Sequence, residues 1–203
     1  SDMEMPQQSL VALVCRPDLP QRLHFSAALE ARHIDGILKV HHSGVVEIDE
    51  GHRRYFIQDR PAGGRVMDMA AKNRGLSEPI VTERLLPVLI DVLDNLDHQG
   101  LSHRRIRPEN LYYLDKDRQV VVLGEGFTEP PGYSQPAVFE TIERSMAHPI
   151  GRGEGDNSSD LYALGVTIAM LLKGFDPTEG KSDKQIQELK MSKGSFVSLV
   201  GDH

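Results

Sequence analysis

The chain changes character at Pro61-Ala62-Gly63-Gly64. Before that point, short runs of β-branched and aromatic residues are broken by turn signals; after it, apolar residues recur at helical spacing. A Gly-rich joint lets the backbone change direction, so the sequence predicts two unequal lobes of an α+β fold, with boundaries at 1–60 and 61–203. In the first lobe, Ser9 to Cys15 reads as a strand closed by a proline turn. Gln21 to His33 reads as a helix, and Ile37 to Ile48 with Arg53 to Asp59 as a hairpin around Asp49-Glu50-Gly51-His52. The second lobe is predicted to hold a short helix at Val66 to Lys72 and a long one at Glu83 to His98, with Pro87 in its first turn, where a proline costs least. Strand pieces at Leu111 to Leu114 and Gln119 to Leu123 follow. Thr128 to Gly155 reads as loop. A uniformly apolar helix at Ser159 to Lys173, capped by Ser158 or Ser159 and stopped by Gly174, precedes a last helix at Asp183 to Met191.

Composition narrows the function. With 203 residues and 39% hydrophobic content, the chain can bury a core. The formal charge of -7 argues against general nucleic-acid binding. The single cysteine, Cys15, excludes an internal disulfide framework, favours a cytoplasmic setting and reads as an inert core residue. No apolar run reaches membrane-spanning length, so no direct membrane insertion is expected, although attachment to a membrane-anchored protein stays open. The opening Ser1-Asp2-Met3 lacks a signal-peptide pattern. His33, His41, His42 and His52 fit no common metal spacing. Gly151-x-Gly-x-Gly155 lacks the preceding strand and the Lys-Ser/Thr pair of a phosphate loop, and reads as a connection.

The segment Leu101-Ser102-His103-Arg104-Arg105-Ile106-Arg107-Pro108-Glu109-Asn110-Leu111 resembles the catalytic loop H-R-D-L-K-P-E-N-L of eukaryotic-type protein kinases. Downstream, Ser159-Asp160-Leu161-Tyr162-Ala163-Leu164-Gly165 is similar to the start of that family's central buried helix. The resemblance spans residues 9 to 191 and implies a kinase-like fold with a reduced β-lobe, a mainly helical second lobe and shortened C-terminal helices. It also implies roles. His103, Arg104 and Asp160 stand where the family braces its catalytic loop, and Asn110 stands at one metal-ligand position.

Other positions depart from the pattern. Arg105 occupies the catalytic base position, and a guanidinium cannot accept a proton at neutral pH. Gly124, in Gly124-Glu125-Gly126, occupies the metal-carboxylate position. Val14 occupies the phosphate-lysine position, and no Gly-rich loop precedes its strand. A register shift of one would bring Glu125 to the metal position. The nearest fit to the family's Ala-Pro-Glu element is Ala147-His148-Pro149. These departures imply a degenerate, bacterial-type pseudokinase, without metal or cofactor and not an enzyme, acting as a regulatory scaffold for a protein partner. The alternative is an atypical nucleotide-binding kinase-like enzyme using Glu125 and Asn110 for metal. Arg105, Arg107 and Glu125 are expected to form an ion-pair cluster across the old active site. Absent small-lobe strands would leave a sheet edge for a second copy, giving a homodimer.

Overall fold

The computed structural model describes residues 9–49 and 51–195; Glu50 and the opening Ser1-Asp2-Met3 lie outside them. The small lobe is a three-stranded antiparallel sheet in the order β1-β3-β2, built from β1 (Leu10–Val14), β2 (Val40–Ile48) and β3 (Gly51–Asp59). One helix, α1 (Leu23–Ala31), packs against it through Phe25 and Leu29. The segment Gly36 to Leu38 leaves this lobe and hydrogen-bonds to Leu123 in both directions, at 2.7 Å and 2.9 Å, tying the lobes together.

At the joint, a Cβ on Gly63 would lie 2.1 Å from the Asp115 carbonyl oxygen, and Gly64 has φ +81°. Only glycine serves both needs, close approach and a left-handed backbone. The large lobe follows with α2 (Val66–Asn73), the long run α3 (Glu78–Ile80) to α4 (Leu86–Asp97), the hairpin β4 (Leu111–Tyr113) and β5 (Val121–Leu123), two short helices α5 (Pro131–Ser134) and α6 (Ile142–Ser145), then α7 (Asn157–Lys173) and α8 (Asp183–Lys193).

Three expectations are corrected. The long helix begins earlier than Glu83, so Pro87 lies inside a continuous helical run. A π turn at Val81–Leu85 accommodates it: the Leu86 N–H reaches back to the Val81 carbonyl, which widens the helix where the proline ring would meet the residue four back. The cap of α7 is Asp156, not a serine. Its carboxylate accepts from the Ser159 N–H at 3.0 Å, and the Ser158 and Ser159 hydroxyls beside it hold its pKa down to about 2. Gly174 ends α7 in a left-handed conformation. Residues 128–155 are not an open loop: α5, α6 and two 3-10 turns, Ala137–Phe139 and Pro149–Arg152, fold onto the large lobe with Ala137, Val138 and Phe139 buried.

The core runs through both lobes, and Phe56 of β3 meets Phe127 of the large lobe with ring centroids 4.5 Å apart. Cys15 is buried, and burial pushes its thiol up to about 11, which keeps it unreactive. No helix among the described residues is long and apolar enough to cross a membrane.

Candidate functional site

A cleft of about 390 Å³ separates the lobes. Its roof is Val11, Leu13 and Leu38, its back edge Gln58, Arg60 and Pro61, and its floor Arg105, Asn110, Tyr112, Gly124 and Glu125. Strand alternation decides which side chains of β1 enter. Val11 and Leu13 do; Val14, expected at the phosphate-lysine position, is 52% exposed on the other face. Leu13 therefore occupies the inward position. Glu30, on the α1 helix, is exposed and outside the cleft.

The floor is held from beneath. Asp160, at the start of α7, accepts from the His103 N–H at 2.5 Å and the Arg104 N–H at 2.8 Å. Arg104 has φ +62°, a left-handed conformation costly for a residue other than glycine, and these two bonds stabilise the turn that carries it. Burial pushes the Asp160 carboxyl up to about 6 against the pull of those two bonds. His103 is fully buried, with Nε2 donating to the Gly124 carbonyl at 3.1 Å and its ring edge-on to Phe25. Desolvation, with Arg22 nearby, drives its pKa down to about 3, so it is neutral.

Opposite Asn110 stands Gly124. A Cβ there would lie 2.1 Å from Asn110 Oδ1, so the amide occupies the volume an aspartate side chain would need. Asn110 Nδ2 donates to the carbonyls of Arg105 and Glu125, both at 2.9 Å. The Glu125 carboxylate is likewise engaged. Oε1 pairs with Arg105 Nη1 and accepts from the Thr128 hydroxyl at 3.0 Å, while Oε2 accepts from the Phe127 and Thr128 N–H groups at 2.9 and 3.1 Å. Arg107 is not part of that cluster: it makes no ion pair among the described residues and lines a neighbouring groove with Glu109, Asp176 and Glu179. Desolvation and the like charge of Arg105 lower its pKa.

Magnesium needs oxygen ligands in near-octahedral array, normally with a carboxylate or two. Here the one floor carboxylate is saturated and the amide is turned to backbone. Among the described residues no three His, Cys, Asp or Glu side chains converge. The residues present do not fit the ion.

Three functional contacts escaped the sequence reading. Arg22, just before α1, is buried and donates to the carbonyls of Ser102 (2.8 Å), His103 (2.7 Å) and Gly126 (2.7 Å), clasping the small lobe to the floor, and pairs with Glu154. Glu140 forms a fully buried ion pair with Arg104 at 2.7 Å. Lys190 of α8 is buried and donates to the carbonyls of Ala137, Val138 and Glu140, and desolvation lowers its pKa to about 8. The lock between the floor segment and the late helices thus lies at 137–140 and Lys190, whereas Ala147-His148-Pro149 leads into a 3-10 turn.

A small sheet over a larger helical lobe, with a braced loop and a hairpin at the cleft floor, defines a protein-kinase architecture. A crystal structure of Rad53 in complex with AMP-PNP matches it with a TM-score of 0.62 over 86% of this chain and 44% of that one, at 18% identity, a likeness of fold. No protein-family model matches the chain. Its sequence relatives include serine/threonine-protein kinase cds1 of Schizosaccharomyces pombe, 28% identical over an alignment of 182 residues that covers 81% of this chain and 38% of that protein. Ribosomal protein S6 kinase alpha-4 of Homo sapiens is 28% identical over 177 residues, covering 79% and 23%. Serine/threonine-protein kinase C of Synechocystis is 29% identical over 154 residues, covering 72% and 29%. The chain spans less than two fifths of each of these relatives. Fold and relatives together support its being a member of the eukaryotic-like protein kinase superfamily. They also correct one expectation: the relatives are kinases by name, which points to enzyme activity and overturns the reading of the chain as a non-enzyme.

Proposed function

We propose that this chain is an atypical nucleotide-binding kinase-like enzyme whose interlobe cleft takes ATP. One observation carries the reading. Gln58, buried at the back of the cleft, has a side-chain oxygen with no hydrogen-bond partner. A buried acceptor left unpaired costs about 1–3 kcal/mol, and a donor on a planar heterocycle between Val11, Leu13 and Tyr112 would satisfy it. The exocyclic amine of adenine is such a donor. The phosphate chain then extends along the floor toward Arg105. The relative of similar fold that holds AMP-PNP supports the same ligand class, and the named kinases support phosphoryl transfer as the reaction class.

A thermal-shift titration with ATP tests the binding claim. Saturation at 100 times the dissociation constant adds about 2.7 kcal/mol of stability, and Gln58→Leu should remove most of that gain. A flat response at millimolar ATP sinks the reading. Transfer of label from γ-labelled ATP to a mixed protein substrate tests the reaction class.

A partner-binding role is a second reading, favoured by the sheet. β1 and β2 are its outer strands among the described residues, with Leu10 and Val14 exposed on β1. An added strand from a partner or a second copy would satisfy the free edge. Light scattering that shows a monomer at high concentration counts against the second copy.

A further inference from the structure

Phosphoryl-transfer sites ordinarily hold the nucleotide phosphates through magnesium; the floor of this cleft offers the Arg105 guanidinium. We propose that Arg105 binds the nucleotide phosphates in place of a divalent cation, exchanging its bond to Glu125 for bonds to phosphate oxygens, so that the cleft takes nucleotide without metal. This inference rests on the nucleotide reading above.

The donor set fits an anion. Arg105 lines the cleft, and its Nε is buried without a partner, as is the Nε of Arg107 nearby. A guanidinium fork matches phosphate oxygens in geometry and charge. Arg60 faces the same cleft from its back edge. The opposing charges are Glu125, paired with Arg105, and Glu129, whose carboxylate lies 3.8 Å from Arg105 Nη2. Desolvation and then the like charge of Arg105 lower the Arg107 pKa, and an anion on Arg105 would offset that like charge.

The exchange leaves the Glu125 carboxylate hydrogen-bonded, though without its cation. When Arg105 turns to phosphate, Glu125 still accepts from the Phe127 and Thr128 N–H groups and the Thr128 hydroxyl. Those three hydrogen bonds remain on the buried carboxylate after Arg105 has left it. Glu125 thus acts as an internal placeholder for the ligand rather than as a ligand for metal, and it competes with phosphate for Arg105.

Calorimetric titration of the purified chain with adenosine, with ATP in EDTA, and with ATP in magnesium separates the cases. In EDTA, ATP should bind tighter than adenosine by on the order of tenfold or more, the scale of a charge-assisted hydrogen-bond pair. Magnesium should leave that affinity unchanged. Arg105→Gln should bring ATP down to the adenosine level while adenosine binding, which reports an intact cleft, persists. Glu125→Gln should tighten ATP binding in EDTA, because the competing charge is gone. If magnesium tightens ATP binding tenfold and Glu125→Gln abolishes that gain, Glu125 is a metal ligand: this proposal falls and the nucleotide reading stands. Equal affinities for ATP and adenosine overturn it as well. Binding of neither sinks the nucleotide reading, and this one with it.

Discussion

Arg104 and Glu140 form an ion pair in which both side chains have 0% exposure, joining the cleft floor to the segment 137–140. Both oxygens of Glu140 accept from one nitrogen, Nη2, at 2.7 and 2.9 Å. Removing one partner leaves a buried charge alone. Arg104→Met should therefore cost about 3–5 kcal/mol, whereas Arg104→Met with Glu140→Leu should recover much of the loss. Urea denaturation of both single variants and the double decides it; a double loss equal to the sum of the single losses would mean that the pair is not energetically coupled.

Gly124 cannot be turned back into the metal carboxylate of the kinase pattern by one substitution. Its missing Cβ is occupied by the Asn110 amide. Gly124→Asp should destabilise by about 1–3 kcal/mol through overpacking, and magnesium should not rescue it. Gly124→Asp with Asn110→Ala should regain part of the stability. A Tm of Gly124→Asp equal to that of the parent would show that the floor moves aside at no cost.

Acid should act on this chain through His103 and Asp160 in opposite senses. Its folded pKa, about 3, lies below the ordinary 6.5, so between those values the unfolded chain takes up the proton and the native state does not. Stability from this group is present above pH 6.5 and declines as pH falls. Asp160 acts with the opposite sign between 3.8 and about 6, because burial makes the native state the better proton acceptor, but over a narrower interval. Between pH 6 and pH 4 the two contributions largely offset, so the parent should change little, whereas His103→Gln, which leaves Asp160 alone, should gain stability as pH falls through that window, read by urea midpoints. An unchanged slope would remove the assignment.

Arg22 and Glu154 should not be equivalent partners. Arg22 is buried and donates to three carbonyls, while the Glu154 side chain is 66% exposed. Arg22→Met should cost about 3 kcal/mol or more, since the carbonyls lose a charged donor. Glu154→Gln should cost under about 1 kcal/mol, as exposed pairs do. Chemical denaturation of both variants checks the ranking.

His103, Asp160 and Asn110 were legible because they stand at fixed spacing within local motifs. Arg22, Glu140 and Lys190 were not, because their partners are main-chain oxygens or side chains far along the chain, and a lone arginine before a helix carries no local signal. The inward face of β1 was hidden for another reason: Leu10-Val11-Ala12-Leu13-Val14 is apolar throughout, so it has no alternation to read. Residues 128–155 read as loop because helices of three or four residues are too short to show periodicity, and Pro130, Pro131 and Gly132 mark turns whether or not the chain there is buried.

The Arg22 clasp has a mechanical consequence. A helix fastened at one end to main-chain oxygens is free to swing but not to slide. Together with the Gly36 and Leu38 bonds to Leu123, the clasp gives the two halves two fixed points, so breathing between them is a rocking about the line that joins these ties.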